Sequence, residues 1–267
     1  MSLKTAVGRL LPPAMRENLA LREAIRKITK APGGWRLKRF EDAEVARLGA
    51  QFAALPQARV ATITSTYRRP ELLNRAIKSA LAQTITDHIV IVVDDGGGLS
   101  DLPPDPRVFG FSLSRNTATI GIVRNVGLRL SSSEYVAFLD DDNEWDEKHL
   151  DIAIAALEDG APGQRPDLIY TAVARVLVDG QVSDVISTNF DRKLLARSSY
   201  VDTNAIVIRR FSGLHFSRLP RKRWEPPEDW ELVYRLSRRR RVKHVPVTTG
   251  HYLYYPDSYS KDSVKPI

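Results

Sequence analysis

The sequence predicts an α/β domain built on a largely parallel sheet, with a helical extension in front of it. Three observations predict this. Apolar runs of strand length alternate with segments of helical periodicity between about residues 57 and 160. One of these runs, residues 88–93, is apolar almost throughout, as a strand covered on both faces of a parallel sheet must be. Three of the runs end in polar or acidic residues, at the sheet edge where open α/β folds bind ligands.

In the extension, residues 1–56, a first helix is expected over 16–30, with Leu21, Ala24, Ile25 and Ile28 on one stripe. Pro32-Gly33-Gly34 predicts its end, and a second helix is expected over 41–55. The stripe suits packing on the domain that follows or on a second copy in a homodimer. It also suits a peripheral place on a membrane surface. Packing is the expectation, since the stripe is short and the polar face mixes signs.

Residues 60–64 are a β-rich run ending in Ser65-Thr66-Tyr67, and Pro70 stands where the first turn of a helix tolerates it. Leu73, Ala76, Ile77, Ala80 and Leu81 then recur at helical spacing. Strand 88–93 ends in Asp94-Asp95-Gly96. A strand at 108–113 leads to a helix at 121–130, and strand 135–139 ends in Asp140-Asp141-Asp142 before a helix over 146–157. Beyond residue 163 the rhythm changes. A hairpin is expected around Asp179-Gly180, then strands over 200–208 and 251–255 with a helix at 228–236 between them. The domain is thus expected over 57–267, with halves at 57–160 and 161–267.

The chain has 267 residues, no cysteine and a net charge of +8. The missing thiols exclude a disulfide framework, a thiolate metal site and a cysteine nucleophile. No run approaches the roughly 18 apolar residues that span a bilayer, and Pro12-Pro13 interrupts the early Leu10-Leu11, so the expected address is the cytoplasm, with peripheral membrane contact open. The positive charge calls for an anionic partner. No helix-turn-helix, zinc-finger or ribonucleoprotein pattern accompanies it, so nucleic acid is not expected, while anionic lipid and a diphosphate-bearing substrate remain.

Five carboxylates at the ends of neighbouring strands repel one another unless cations offset them. Oxygen ligands without sulfur suit Mn²⁺ or Mg²⁺. The triplet also reads as the N-terminal turn of the helix behind it, and Glu228-Asp229 after Pro226-Pro227 reads as a helix cap.

Arg68-Arg69-Pro70-Glu71-Leu72-Leu73, Ala82-Gln83-Thr84, Ile91-Val92-Val93-Asp94-Asp95-Gly96, Val123-Arg124-Asn125-Val126-Gly127, Phe138-Leu139-Asp140-Asp141-Asp142 and Glu228-Asp229-Trp230 together resemble the ordered motifs of family 2 glycosyltransferases. The resemblance covers about residues 59 to 260. It implies a GT-A fold, the Rossmann-like nucleotide-diphospho-sugar transferase type, with a mixed sheet flanked by helices. It also implies a metal-dependent, inverting transfer from a nucleotide-diphosphate sugar, with a UDP-sugar favoured, to an acceptor hydroxyl. By that resemblance Ser65, Thr66 and Tyr67 border the base and ribose, and Asp94 and Asp95 read the base side. Arg124 lies near the base or phosphate. Asp140 and Asp141 serve the ribose side, Asp142 and Asp140 the metal, and Asp229 is the general base with Glu228 beside it for the acceptor. His251 is a further metal candidate. Trp224 and Trp230 either border an acceptor sugar or pack in the core, and Arg221-Lys222-Arg223 are candidates for a phosphate on the acceptor. Two departures stand out: Gly97-Gly98 follow where the family usually places a serine, and Ser65 replaces a common proline. The competing readings are a sugar nucleotidyltransferase, which usually carries a glycine-rich basic loop absent after residue 64, and a non-catalytic GT-A binding module.

Overall fold

A computed structural model describes residues 18–51, 55–99, 101–177, 179–221 and 225–254, with residue 254 described for its backbone only. Helix α1 (Leu19–Gly49) precedes β1 (Val60–Thr66), α2 (Pro70–Leu81), β2 (His88–Asp94), β3 (Val108–Ser112), α3 (Ile120–Leu130) and β4 (Tyr135–Asp140). Then come β5 (Asn143–Trp145), α4 (His149–Glu158), β6 (Leu168–Leu177), β7 (Val182–Ile186), α5 (Arg192–Leu195), β8 (Ile206–Arg209), α6 (Glu228–Leu236) and β9 (Val242–Tyr254).

The strands form one sheet in the order β3-β2-β1-β4-β8-β6-β9-β5, with β7 on β6. The expected alternation gives its parallel half, β3-β2-β1-β4, while β8 runs antiparallel between β4 and β6. Leu73 and Ile77 of α2 and Leu150 and Ile154 of α4 cover one face against Val60, Val90 and Val92. The other face lies under α3 and the C-terminal part of α1, where Val123, Val126 and Leu48 meet Ile89, Ile91 and Val93.

Register places the polar ends together. Thr66 pairs with Asp94 across β1–β2, and Ser65 with Asp140 across β1–β4, so the three ends lie on one edge. The expected hairpin forms from β6 and β7 around Gly180, whose φ of 85° suits a residue without Cβ.

Several expectations change. Residues 200–205 are not strand: Thr203–Ala205 form a 3₁₀ turn, with Asp202 accepting from the Asn204 amide at 2.8 Å. The last strand starts nine residues before His251, at Val242. Among the described residues the extension is a single helix, Leu19–Gly49, that runs through Pro32. A proline inside a helix removes a hydrogen bond and crowds the preceding turn, at about 3 kcal/mol. Tertiary anchors on both sides offset this. Before the proline, Lys30 Nζ pairs with Glu225 Oε2 at 2.5 Å and donates to the Pro220 carbonyl at 2.6 Å. After it, Glu41 receives Arg218 through Nε and Nη2, both at 2.8 Å. Gly33 and Gly34 allow the close approach, since a Cβ on Gly34 would stand 3.0 Å from Leu219 Cδ2.

The inward stripe of α1 is also not the apolar one. Leu19, Glu23, Arg26, Gly34, Leu37, Glu41, Glu44 and Leu48 are buried, whereas Ile28 is 78% exposed. Glu44 accepts from the Ser114 amide and hydroxyl at 3.0 and 2.6 Å, and Glu41 also holds Asn125 and Arg129 of α3. Charged side chains with distant partners thus form the packing face, and α1 is a flank of the domain.

Candidate functional site

The site lies along the edge where β1, β2 and β4 end. Asp140 closes β4 and is held from behind: its amide donates to Asn204 Oδ1 at 2.7 Å, and Trp145 Nε1 donates to the Asn204 carbonyl at 2.7 Å. Asp141 turns towards β1, accepting from Thr66 Oγ1 at 2.7 Å. Arg69 Nη1 donates to Asp141 Oδ1 at 3.3 Å and to Asp142 Oδ2 at 2.9 Å. Arg69 has this reach because Arg68 takes a positive φ of 56° at the strand end and Pro70 starts α2. Burial, with the like charges of Asp140 and Asp141, pushes the Asp142 carboxyl up to about 7 against the pull of Arg69.

Arg124 is the buried hub. It is 2% exposed on α3, with Nη2 donating to Asp140 Oδ1 and Nη1 to Glu228 Oε1, each at 2.5 Å. Its guanidinium carbon stands 5.2 Å from the centre of the Phe216 ring. Burial opposes its charge, but Asp140 and Glu228 outweigh that and raise its pKa. Arg124 therefore joins the triplet to the start of α6. Its planar fork is shared between two carboxylates at the edge where the donor's base and phosphate are expected.

Asp229 begins α6 beside Glu228. Its Oδ2 accepts from Thr203 Oγ1 at 2.8 Å and its Oδ1 from the Trp230 amide at 2.6 Å. Burial, then the charges of Glu228 and Asp202, push it up to about 7, with Arg124 opposing. Asp229 lies in the first turn of α6, whose N-cap is Pro227 with no side-chain cap bond.

Asp94 and Asp95 shape loops. Asp94 Oδ2 accepts from the Gly97 and Gly98 amides at 2.9 and 3.0 Å and from Ser112 Oγ at 2.6 Å. Among the described residues its Oδ1 carries only the longer bond from Gly97, at 3.1 Å. A Cβ at Gly97 would stand 2.9 Å from both Tyr67 and Arg68, so the two glycines serve this turn in place of the family's serine. Asp95 holds the Thr117 amide and hydroxyl and the Ala118 amide at 2.9, 2.8 and 3.1 Å. Tyr67 is 39% exposed at the rim beside Arg68, and among the described residues the buried Ser65 hydroxyl has no hydrogen-bond partner.

Of its two expected places Trp230 takes the core one: it is 8% exposed there, with Nε1 donating to the Leu195 carbonyl at 2.5 Å. Trp224, Lys222 and Arg223 lie outside the described residues. Arg221 pairs with Glu23 at 3.2 Å and donates to the Pro226 carbonyl, so its charge anchors α1. His251 Nε2 pairs with Asp146 Oδ1 at 2.8 Å, and among the described residues its ring bonds no member of the triplet. Reading from sequence missed Arg69, Asp202, Thr203 and Asn204. Only Arg69, directly behind the first strand end, carried a signal.

Among the described residues no three His, Asp or Glu side chains are gathered to hold an ion by themselves. The donor set nonetheless fits a hard cation. Asp142 is a carboxylate whose charge its neighbours leave poorly compensated, and Mg²⁺-type ions are commonly bound by one or two carboxylates plus substrate phosphates.

Residues 62–171 match the family model described as Glycosyl transferase family 2. These residues belong to that family. The chain is 29% identical over 154 residues to the poly(ribitol-phosphate) beta-N-acetylglucosaminyltransferase TarP of Staphylococcus aureus, covering 55% of this chain and 45% of that protein. It is also 29% identical over 167 residues to a GalNAc(5)-diNAcBac-PP-undecaprenol beta-1,3-glucosyltransferase of Campylobacter jejuni, covering 60% and 50%. The chain spans about half the length of these relatives.

Among solved structures, Staphylococcus aureus TarS 1-349 in complex with UDP-GlcNAc matches with a TM-score of 0.58 at 16% identity, covering 78% of this chain and 62% of that one. The mannosyltransferase PcManGT from Pyrobaculum calidifontis, in complex with GDP-Man and Mn²⁺, matches at 0.55 and 17%, covering 90% and 69%. At these identities the likeness speaks for the fold, which is of the GT-A type.

Proposed function

We propose that the chain transfers a sugar from a nucleotide diphosphate to an acceptor hydroxyl, with inversion at the anomeric carbon. The observation that carries this reading is the Arg124 bridge. It ties the triplet, where a diphosphate would be met, to a half-buried carboxylate at Asp229 with a pKa near neutrality.

The donor would lie across the ends of β1, β2 and β4. Tyr67 at the rim and the spare capacity of Asp94 Oδ1 would take its base, and Asp140 and Asp141 its ribose. Asp142 and Asp140 would hold a divalent ion, Mn²⁺ or Mg²⁺. When bound, the ion neutralises charge that develops on the diphosphate leaving group. Arg69, half exposed and resting on Asp141 and Asp142, can turn to the same oxygens. The leaving group then needs no protonation, and only the attacking hydroxyl needs help. Asp229 takes its proton, since a base whose pKa lies near the working pH is efficient. Glu228 is held by Arg124 and keeps negative charge next to Asp229, which sustains its basicity.

With so few protein oxygens at Asp142, the ion should bind together with nucleotide. In a thermal-shift panel of UDP, GDP, TDP and CDP, UDP with Mn²⁺ is expected to raise Tm by about 5 °C or more at a hundred times its Kd. Mn²⁺ alone should do little, and Asp142→Ala should abolish the shift. If no nucleotide shifts Tm in either condition, the transferase reading fails and the fold serves as a binding module.

A further inference from the structure

We propose that the N-terminal half of α1 docks the protein on an anionic lipid surface. The helix is attached by its charged side. Arg26 pairs with Glu23 at 2.9 Å and donates to the Pro220 carbonyl at 3.0 Å, and Lys30 pairs with Glu225 at 2.5 Å. Those inward charges are compensated within the protein.

The outward side is the apolar one. Leu21, Ile25, Ile28, Pro32 and Trp35 follow one another at spacings of four, three, four and three, which keeps them on a single stripe. Ile28 is 78% and Trp35 76% exposed, and Leu21 and Ile25 are partly exposed. A large aliphatic residue and a tryptophan, so open and one helical stripe apart, match the face with which interfacial helices enter the boundary between headgroups and acyl chains. Tryptophan favours that depth because its ring is apolar and its N–H finds water.

Charge selects lipid as the occupant. From Leu19 to Phe40 the helix carries seven Lys and Arg residues against one acid, and that acid, Glu23, is buried. Lys27 and Lys38 border the stripe on one side and Arg36 on the other, with Arg39 at its end, and all four are exposed. A second copy of this helix would bring like charges together, whereas an anionic headgroup layer meets the four exposed ones. Each basic residue near such a surface strengthens binding about fivefold, and salt screens the effect. Among the described residues no helix is long and apolar enough to cross a membrane, so the contact is peripheral.

The test is flotation of the full chain with vesicles of phosphatidylcholine containing about one-third phosphatidylglycerol, against phosphatidylcholine alone. Binding to the anionic vesicles is expected at low salt. It should fall about tenfold or more in Ile28→Glu/Trp35→Glu and in Lys27→Glu/Arg36→Glu, with Tm unchanged because all four side chains are exposed. Three results would each overturn the proposal: no binding at low salt, binding that both double variants retain, or a dimer by light scattering that Ile28→Glu/Trp35→Glu dissociates. A fall in Tm of several degrees in both double variants would also overturn it, since the face would then be covered by the chain itself.

Discussion

Asp229→Asn is expected to lower kcat by roughly 10² to 10⁴-fold, the range general-base catalysis commonly supplies, with little change in donor Kd. The substitution preserves shape. The amide oxygen can still accept from the Trp230 amide, and the Thr203 hydroxyl can rotate to accept from the new NH₂. What is lost is the place for the acceptor's proton. In the unsubstituted protein the rate should fall as pH drops through about 7, where Asp229 becomes protonated and can no longer act as a base.

Stability should move in the opposite direction. A carboxyl raised from its ordinary value to about 7 holds more protons folded than unfolded between roughly pH 4 and 7. Ionising it therefore costs stability as pH rises through that window, and the cost is complete above it. Asp229→Asn removes the cost, so the variant should melt higher than its parent at pH 8 while being nearly inactive. Steady-state rates, nucleotide titration and melting at pH 8 separate the outcomes. A variant that keeps its rate and loses donor affinity would place Asp229 in binding and the base elsewhere.

The parallel half of the fold was legible because its signals are local. A strand such as His88–Asp94 and the helix beginning at Pro70 are written in consecutive residues. Alignment of their polar ends then follows from parallel pairing, with Ser65 beside Asp140. What stayed hidden depends on partners far along the chain. Glu23 and Glu41 resemble solvent-facing helix residues until Arg221 and Arg218, more than 170 positions later, are folded onto them. The apolar stripe of α1 was legible, but its direction was not, since its inward charges are neutralised by that distant segment. Trp230 stayed open between a sugar border and the core because only the fold places the Leu195 carbonyl against its indole. Thr203 and Asn204 carry no motif. Their importance comes from standing between the end of β4 and the start of α6.

Glu41→Ala is expected to destabilise the protein by about 3–5 kcal/mol, the usual cost of breaking a buried ion pair from one side, and so to lower Tm by about 10 °C. Glu41 is fully buried, and Arg218 rests on both of its oxygens. Arg129 would keep Asp42, at 2.7 Å, whereas Arg218 would lose its carboxylate. Glu41→Leu with Arg218→Met should recover much of the loss, because a paired hydrophobic replacement leaves no unmatched charge. The damage should also reach the site. Glu41 holds Asn125 at 3.0 Å, and Asn125 Oδ1 receives the Phe216 amide at 2.7 Å. Phe216 lies against the Arg124 guanidinium, which bridges Asp140 to Glu228. Loosening α1 therefore loosens the side chain that ties the triplet to Asp229, and kcat should fall at temperatures well below the new Tm. A change in Tm under 2 °C would mean that α1 melts apart from the domain, and the chain from Glu41 to Arg124 would then carry no coupling.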